Sequence, residues 1–329
     1  MSAEASLRRA ADERAAADDW DGLRELLAAE EPGTLLASPA LSYRYGEALY
    51  HTGRLDELGD FARQFEEAAR EAADTGAVMR ALNLAFIGDF ERGRIAEARE
   101  RCESLLQLAQ ADDDPEMLGR AANNMGNLTH LTGLFHEALT YYRLALPLYQ
   151  RMDAVRGIAQ VHHNLGISHR DLGDLDEAAD AYRRAATLAR QLGYRPLALL
   201  ASLGRAEVEA LRGDPAAEPM AERGLASARE LGNPAFEAEA SRVLGLARAA
   251  AGRPEEALDT LAEAVAGSRE AGHRLVEAEA ERDRGRLLLR SGRDAEAREA
   301  LTTAVEIFRD MGARAYAREA ERELEDAPA

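Results

Sequence analysis

The chain has 329 residues, 46% of them hydrophobic and 31% charged, with a formal net charge of −19. That charge opposes nucleic acid and anionic membrane surfaces as partners, and a single cysteine, Cys102, excludes a disulfide framework or a cysteine zinc site. No run of eighteen apolar residues reads as a membrane span and residues 1–20 lack the apolar core of a signal peptide, so a cytoplasmic location is expected. All 41 basic residues are arginine.

Residues 4–17 predict a helix of strong helix formers stopped near Asp18 and Asp19. Trp20–Leu27 opens a second helix, and Glu31-Pro32-Gly33 is expected to end it. This pair, residues 1–33, carries no turn glycine and reads as a degenerate, capping first repeat.

From residue 38 a forty-residue pattern takes over. Turn glycines stand at Gly53, Gly93, Gly133, Gly173, Gly213, Gly252 and Gly292, in steps of 40, 40, 40, 40, 39 and 40. A fixed period of this size marks a solenoid of stacked helical hairpins. In most units a second stop falls twenty residues after the turn, at Asp113, Asp153, Gly193, Gly272 and Gly312. Five first helices carry a mid-helix glycine seven residues before the turn: Gly46, Gly126, Gly166, Gly245 and Gly285. Each costs roughly 0.5–1 kcal/mol relative to alanine, which close approach of a neighbouring helix would explain. Second helices repeat a small–large–small face, as in Ala138/Tyr142/Ala145, Ala178/Tyr182/Ala185, Ala257/Leu261/Ala264 and Ala297/Leu301/Ala304.

The set Gly126, Ala138, Tyr142 and Ala145, repeated at Gly166, Ala178, Tyr182 and Ala185, resembles the tetratricopeptide repeat (TPR). The usual TPR period is 34. This chain's period of 40 is similar to the long-repeat subclass of kinesin light chains and of bacterial peptide-receptor and sensor domains. The resemblance covers seven repeats over residues 38–312 and, with the degenerate first pair, implies an all-α, right-handed superhelical solenoid of about eight repeats, followed by a capping helix and tail over 313–329.

One step is irregular. Gly213-Asp-Pro-Ala-Ala-Glu-Pro219 lies in the 39-residue interval, and Glu218 stands where alanine is usual. Pro219 is incompatible with a helix interior, so the second helix is expected to begin late, near Pro219 or Met220. A joint at 213–220 is one reading of this step, and a tolerated loop deletion is the other.

Catalytic motifs are absent: there is no phosphate-binding glycine loop and no nucleophile elbow. His136-Glu137 lacks the second histidine of a zinc-protease helix, Thr140 standing in its place. His163 and His169, six residues apart on one helix, point to different faces. The expectation is a non-enzymatic chain with no cofactor and no metal.

The TPR resemblance implies that one face of each first helix lines a concave groove. Read across units three to five, its rungs are Arg80, Arg120 and Gln160, then Asn83, Asn123 and His163. Asn124 and Asn164 share another rung, Asn127 stands on a fourth between Ile87 and Ile167, and Phe90, His130 and Arg170 form the last. Asparagine is a poor helix former, so five of them at repeating positions point away from helix formation as their purpose. An amide offers a donor and an acceptor to a peptide backbone, and arginine suits an acidic side chain or a C-terminal carboxylate. The competing explanation is that these amides bridge neighbouring repeats. Later groove positions, including Leu203, Glu207, Arg242 and Arg282, suit an amphipathic helix, self-association or packed core. The functional expectation is a protein- or peptide-binding scaffold using the concave groove. The alternative is a ligand- or peptide-sensing module that changes its superhelical shape on binding.

Overall fold

The computed structural model describes residues 3–326, so the first two and last three residues of the expected end segments lie outside the described residues. The helices come in chain order as pairs. The first pair is α1 (Ala3–Ala16) and α2 (Trp20–Ala28), followed by a short α3 (Pro32–Leu36). Next come α4 (Pro39–His51) with α5 (Leu55–Glu71), α6 (Thr75–Glu91) with α7 (Ile95–Ala111), and α8 (Pro115–Leu131) with α9 (Phe135–Arg151). Then follow α10 (Val155–Leu172) with α11 (Leu175–Gln191), and α12 (Arg195–Leu211) with α13 (Ala217–Leu231). The last pairs are α14 (Pro234–Ala250) with α15 (Pro254–Glu270) and α16 (Arg274–Arg290) with α17 (Asp294–Asp310), before α18 (Arg314–Asp326). The fold is an all-α TPR solenoid of stacked hairpins. It divides into two compact units, Met1–Leu128 and Thr129–Ala329.

Every turn glycine is left-handed, with φ between +64° and +85°, the conformation that ends a helix without a Cβ penalty. Asp113 and Asp153 fill the same role at φ +50° and +51°. The mid-helix glycines are explained by contact. A Cβ on Gly166 would lie 2.7 Å from the Tyr182 ring, and one on Gly204 would lie 2.5 Å from the same ring. Tyr182 is thus sandwiched between α10 and α12. Leu261 and Leu301 occupy the same place against Gly245 and Gly285. Burying each such side chain contributes roughly 1.5–3 kcal/mol, enough to outweigh the helix penalty of the glycine.

Two local expectations need correction. Pro32 does not merely end α2; it stands at the first position of α3, where its missing N–H would have had no partner in any case. Likewise α13 starts at Ala217, not at Pro219 or Met220. Pro219 falls in the first turn, where no intrahelical acceptor is lost. The connection before α13 is five residues long, 212–216, the helix itself has 15 residues where α11 has 17, and its buried seam stands one residue nearer the turn glycine than in α11. Ala217, Ala221, Gly224 and Ala228 are its buried seam, and its stop is Gly232, at φ +64°.

Candidate functional site

In the first unit, first helices stack side by side and their asparagines meet. Asn83 Nδ2 on α6 donates to the Tyr43 hydroxyl on α4 at 2.9 Å, and Asn124 Nδ2 on α8 donates to Asn83 Oδ1 at 2.8 Å. The chain Tyr43–Asn83–Asn124 therefore ties three successive repeats together through polar groups. Asn83 is only 3% exposed. For these two amides the bridging role is the observed one. A buried amide without a partner would cost about 1–3 kcal/mol, which is why the ladder is internally satisfied.

Beside this ladder lies a cleft of about 280 Å³ lined by α1, α4, α6 and α8. Its cationic wall is Arg8, Arg44, Arg80 and Arg120, and Tyr43 stands among them. Arg44 is committed to Asp12 at 2.9 Å and Glu47 at 2.7 Å. Arg120 reaches Glu116 at 3.1 Å and places its guanidinium 5.5 Å from the Tyr43 ring centre. Burial raises the Tyr43 phenol above its ordinary range, partly offset by Arg120, so the hydroxyl remains a donor. Arg8 and Arg80 make no ion pair among the described residues. Arg80 was read in the sequence as a groove rung; Tyr43 stands on the Asn83–Asn123–His163 rung but one unit before the three units read, and Arg8 precedes the forty-residue register. Asn123 and Asn127 are half-buried on α8.

The second unit carries the remaining predicted residues, and there Arg170 and the later rung Arg242 face a filled interior. Arg170 is bound to Glu207 at 2.6 Å and to Asp171 at 2.8 Å. Arg242, 1% exposed, is ringed by Glu207 at 3.1 Å, Glu239 at 3.0 Å, Asp283 at 2.8 Å and Glu279 at 3.7 Å. Burial alone would raise the Asp171 and Glu207 carboxyls. Arg170 and His130 together at Asp171, and Arg170 and Arg242 together at Glu207, overcome it and hold both below the usual range. Burial prevails at Glu279, pushing it up to about 7 against the pull of Arg242.

Tyr316 on α18 closes this interior. Its hydroxyl donates to Asp171 Oδ2 at 2.5 Å and lies 2.7 Å from His130 Nε2. With that proton given to Asp171, the consistent tautomer has His130 Nε2–H donating to the tyrosine oxygen. His130 Nδ1 then accepts from Ser168, at 2.9 Å. The backbone of α18 also presses on the turn before α9: a Cβ on Gly133 would lie 2.3 Å from that of Ala315. His130, read from the sequence as a groove rung, is here a structural partner of the last helix, and Arg170, another such rung, is paired with Asp171 and Glu207. Tyr316 is 186 residues from His130, a separation no periodic reading reaches.

His163 is tilted against Tyr182, with ring centres 5.6 Å apart. Burial, and then Arg170, pushes its pKa down to about 4, so it is neutral near pH 7. Its Nδ1 is buried without a hydrogen-bond partner among the described residues. On the same helix α10, Gln160 is exposed and Asn164 half-buried. Among the described residues no three His, Cys, Asp or Glu side chains are grouped to hold a metal. No helix among them is long and apolar enough to cross a membrane.

The stacked hairpins define a TPR protein. The family model described as the MalT-like TPR region matches residues 84–324, and the chain belongs to that family. Solved structures share the fold at low identity. A Rap protein complexed with Competence and Sporulation Factor is similar with a TM-score of 0.66 and 14% identity, over 98% of this chain and 96% of that one. NprR in complex with its cognate peptide NprX is similar at 0.62 and 14%, over 82% of each chain. BtubC from P. vanneervenii matches at 0.55 and 21%, over 66% of this chain and 92% of that one. Among curated proteins, Protein FLUORESCENT IN BLUE LIGHT, chloroplastic, of Arabidopsis thaliana is 30% identical over 77 residues, 23% of this chain. The chain spans about a quarter of the length of that relative, 24%.

Proposed function

We propose that the chain is a non-enzymatic peptide- or protein-binding scaffold, and that the cleft of the first unit recognises a carboxylate of its partner, either a C-terminus or an acidic side chain. The observation carrying this reading is the pair Arg8 and Arg80, which line the 280 Å³ cleft beside Tyr43 and Arg120 without an ion-pair partner of their own among the described residues. Paired arginines such as Arg44 have already spent their charge on neighbours. Unpaired ones on a polar wall provide bidentate donors for an incoming carboxylate. Asn123, on the same helix as Arg120, would supply an amide to the adjacent peptide unit. Peptide complexes of Rap and NprR, which have the same fold, support the class of ligand.

The test is a fluorescence-anisotropy titration of a peptide panel, each member synthesised with a free and with an amidated C-terminus and with acidic or neutral side chains. Carboxylate-bearing peptides should bind, and the Arg8→Ala/Arg80→Ala double variant should weaken them about ten-fold or more, the size of one to two charge-assisted hydrogen bonds. Binding that ignores both the carboxylate and the two arginines would exclude this cleft. A change in small-angle scattering when peptide is added would mark the molecule as a sensing module; an unchanged envelope marks a scaffold.

A further inference from the structure

A second cleft, unrelated to the concave rungs, lies in the second unit between α11, α12 and α13. It encloses about 480 Å³ and opens on the side of α12 opposite Glu207. Five arginines line it, Arg183, Arg190, Arg195, Arg205 and Arg223, against one lining carboxylate, Glu230. In a chain of net charge −19 this is a local reversal of sign. Arg183 is held by Asp180 at 2.7 Å and Arg195 by Glu230 at 3.1 Å, while Arg205 approaches Glu209 only to 3.9 Å. Arg190 and Arg223, on opposite walls, make no ion pair among the described residues. Between the walls the floor is apolar, formed by Ala198, Leu199 and Met220.

The comparable cleft between α15, α16 and α17, about 340 Å³, shows what such a position looks like when it is neutral. There Arg269 and Arg284 face Glu281 and Glu299, and both arginines are paired with Glu281, at 3.6 and 3.2 Å. The chain is also irregular here, the connection before α13 spanning residues 212–216. The one-residue register shift of α13 sets Ala221 and Gly224 where α11 has Tyr182 and Ala185, and at Gly224 the two helices close up, a Cβ there lying 2.4 Å from Leu203.

We propose that this cleft binds a small organic phosphate, a nucleotide-sized molecule with an apolar or planar body and at least two negative charges. Guanidinium forks match phosphate oxygens in two-point contacts, the apolar floor takes the uncharged body, and the volume is that of a small-molecule site. A long polyanion is disfavoured, because everything beyond the cleft meets the acidic remainder of the surface.

The experiment is isothermal titration of the full chain with ADP, inorganic pyrophosphate, adenosine and a tetraglutamate peptide as separate probes, at low and physiological salt. ADP should bind more tightly than pyrophosphate, with adenosine and tetraglutamate showing no binding. The Arg190→Ala/Arg223→Ala variant should weaken ADP about ten-fold. Both side chains are exposed, so the variant's melting temperature should match that of the wild type, which separates a lost site from a lost fold. No binding of ADP, binding unaffected by the double substitution, pyrophosphate binding as tightly as ADP, or tetraglutamate binding in its place would each overturn the proposal.

Discussion

The concave rungs of the first unit and those of the second start from the same helical positions and end differently. In the first unit polar groups tie the repeats together edge to edge, Tyr43 to Asn83 to Asn124, and leave Arg8 and Arg80 facing a cleft. In the second unit, charges of both signs are buried against each other around Arg170 and Arg242, and Tyr316 of α18 is fastened over Asp171 and His130. A rung position therefore says where a side chain points and leaves open whether it meets a ligand or its own chain. Neutral amides need only one or two partners and can coexist with an open cleft. Buried charges cannot remain unpaired, so they recruit neighbours until the space is full.

This contrast can be broken from the filled side first. Arg242→Met leaves Glu207, Glu239, Glu279 and Asp283 facing one another, and urea denaturation should show a loss of about 3–5 kcal/mol. A loss below about 1 kcal/mol would mean that the interior is wet and open like the first unit's cleft.

The next effect is a pH dependence. The Glu279 carboxyl titrates near 7 when folded and at its ordinary 4.5 when unfolded, so the folded state holds the proton more tightly. Its contribution is fully present below about 4.5 and is lost as pH rises through about 7. Glu279→Gln should therefore gain stability over the wild type at pH 8, by on the order of 1–3 kcal/mol, and the difference should close by pH 5. His163 runs the other way. Its folded pKa, about 4, lies below the ordinary 6.5, so stability declines as pH falls from 6.5 toward 4, and His163→Phe should remove that decline. Equal melting curves of each variant and the wild type across the pH range would refute these assignments.

Smaller again is Tyr316→Phe, which deletes the hydroxyl shared by Asp171 and His130. It should cost about 2 kcal/mol and raise hydrogen exchange in α18 and near Gly133, leaving the first unit's helices unchanged. The smallest effect sharpens the comparison from the open side: Arg8→Ala/Arg80→Ala should alter stability by less than about 0.5 kcal/mol, because neither side chain is part of an ion pair among the described residues. A larger loss would show that these arginines belong to the scaffold.

Much of the architecture could be read directly from the residue order. Helical hairpins were legible because glycine at a fixed spacing ends a helix by local backbone sterics, and the small–large–small face predicted the packing of Tyr182 on Gly166. Such signals act within one turn or between adjacent helices, so a period of forty carries them. Arg80 and Arg120 were read as groove rungs from the TPR resemblance, and both line the first unit's cleft. The start of α13 was misread because Pro219 was judged as a helix-interior residue, whereas the helix begins at Ala217 and Pro219 falls in its first turn.

What the tertiary structure alone decided is the company each polar group keeps. Asn83 bridges because Tyr43 lies 40 residues earlier at hydrogen-bonding distance. His130 is a clasp because Tyr316, 186 residues later, comes back to it. Periodicity specifies direction around a helix axis, while pairing depends on the distance between helices far apart in sequence. The stacked hairpins were therefore fixed by local steric rules, and the division into an open polar cleft and a closed ionic interior was set by long-range electrostatics.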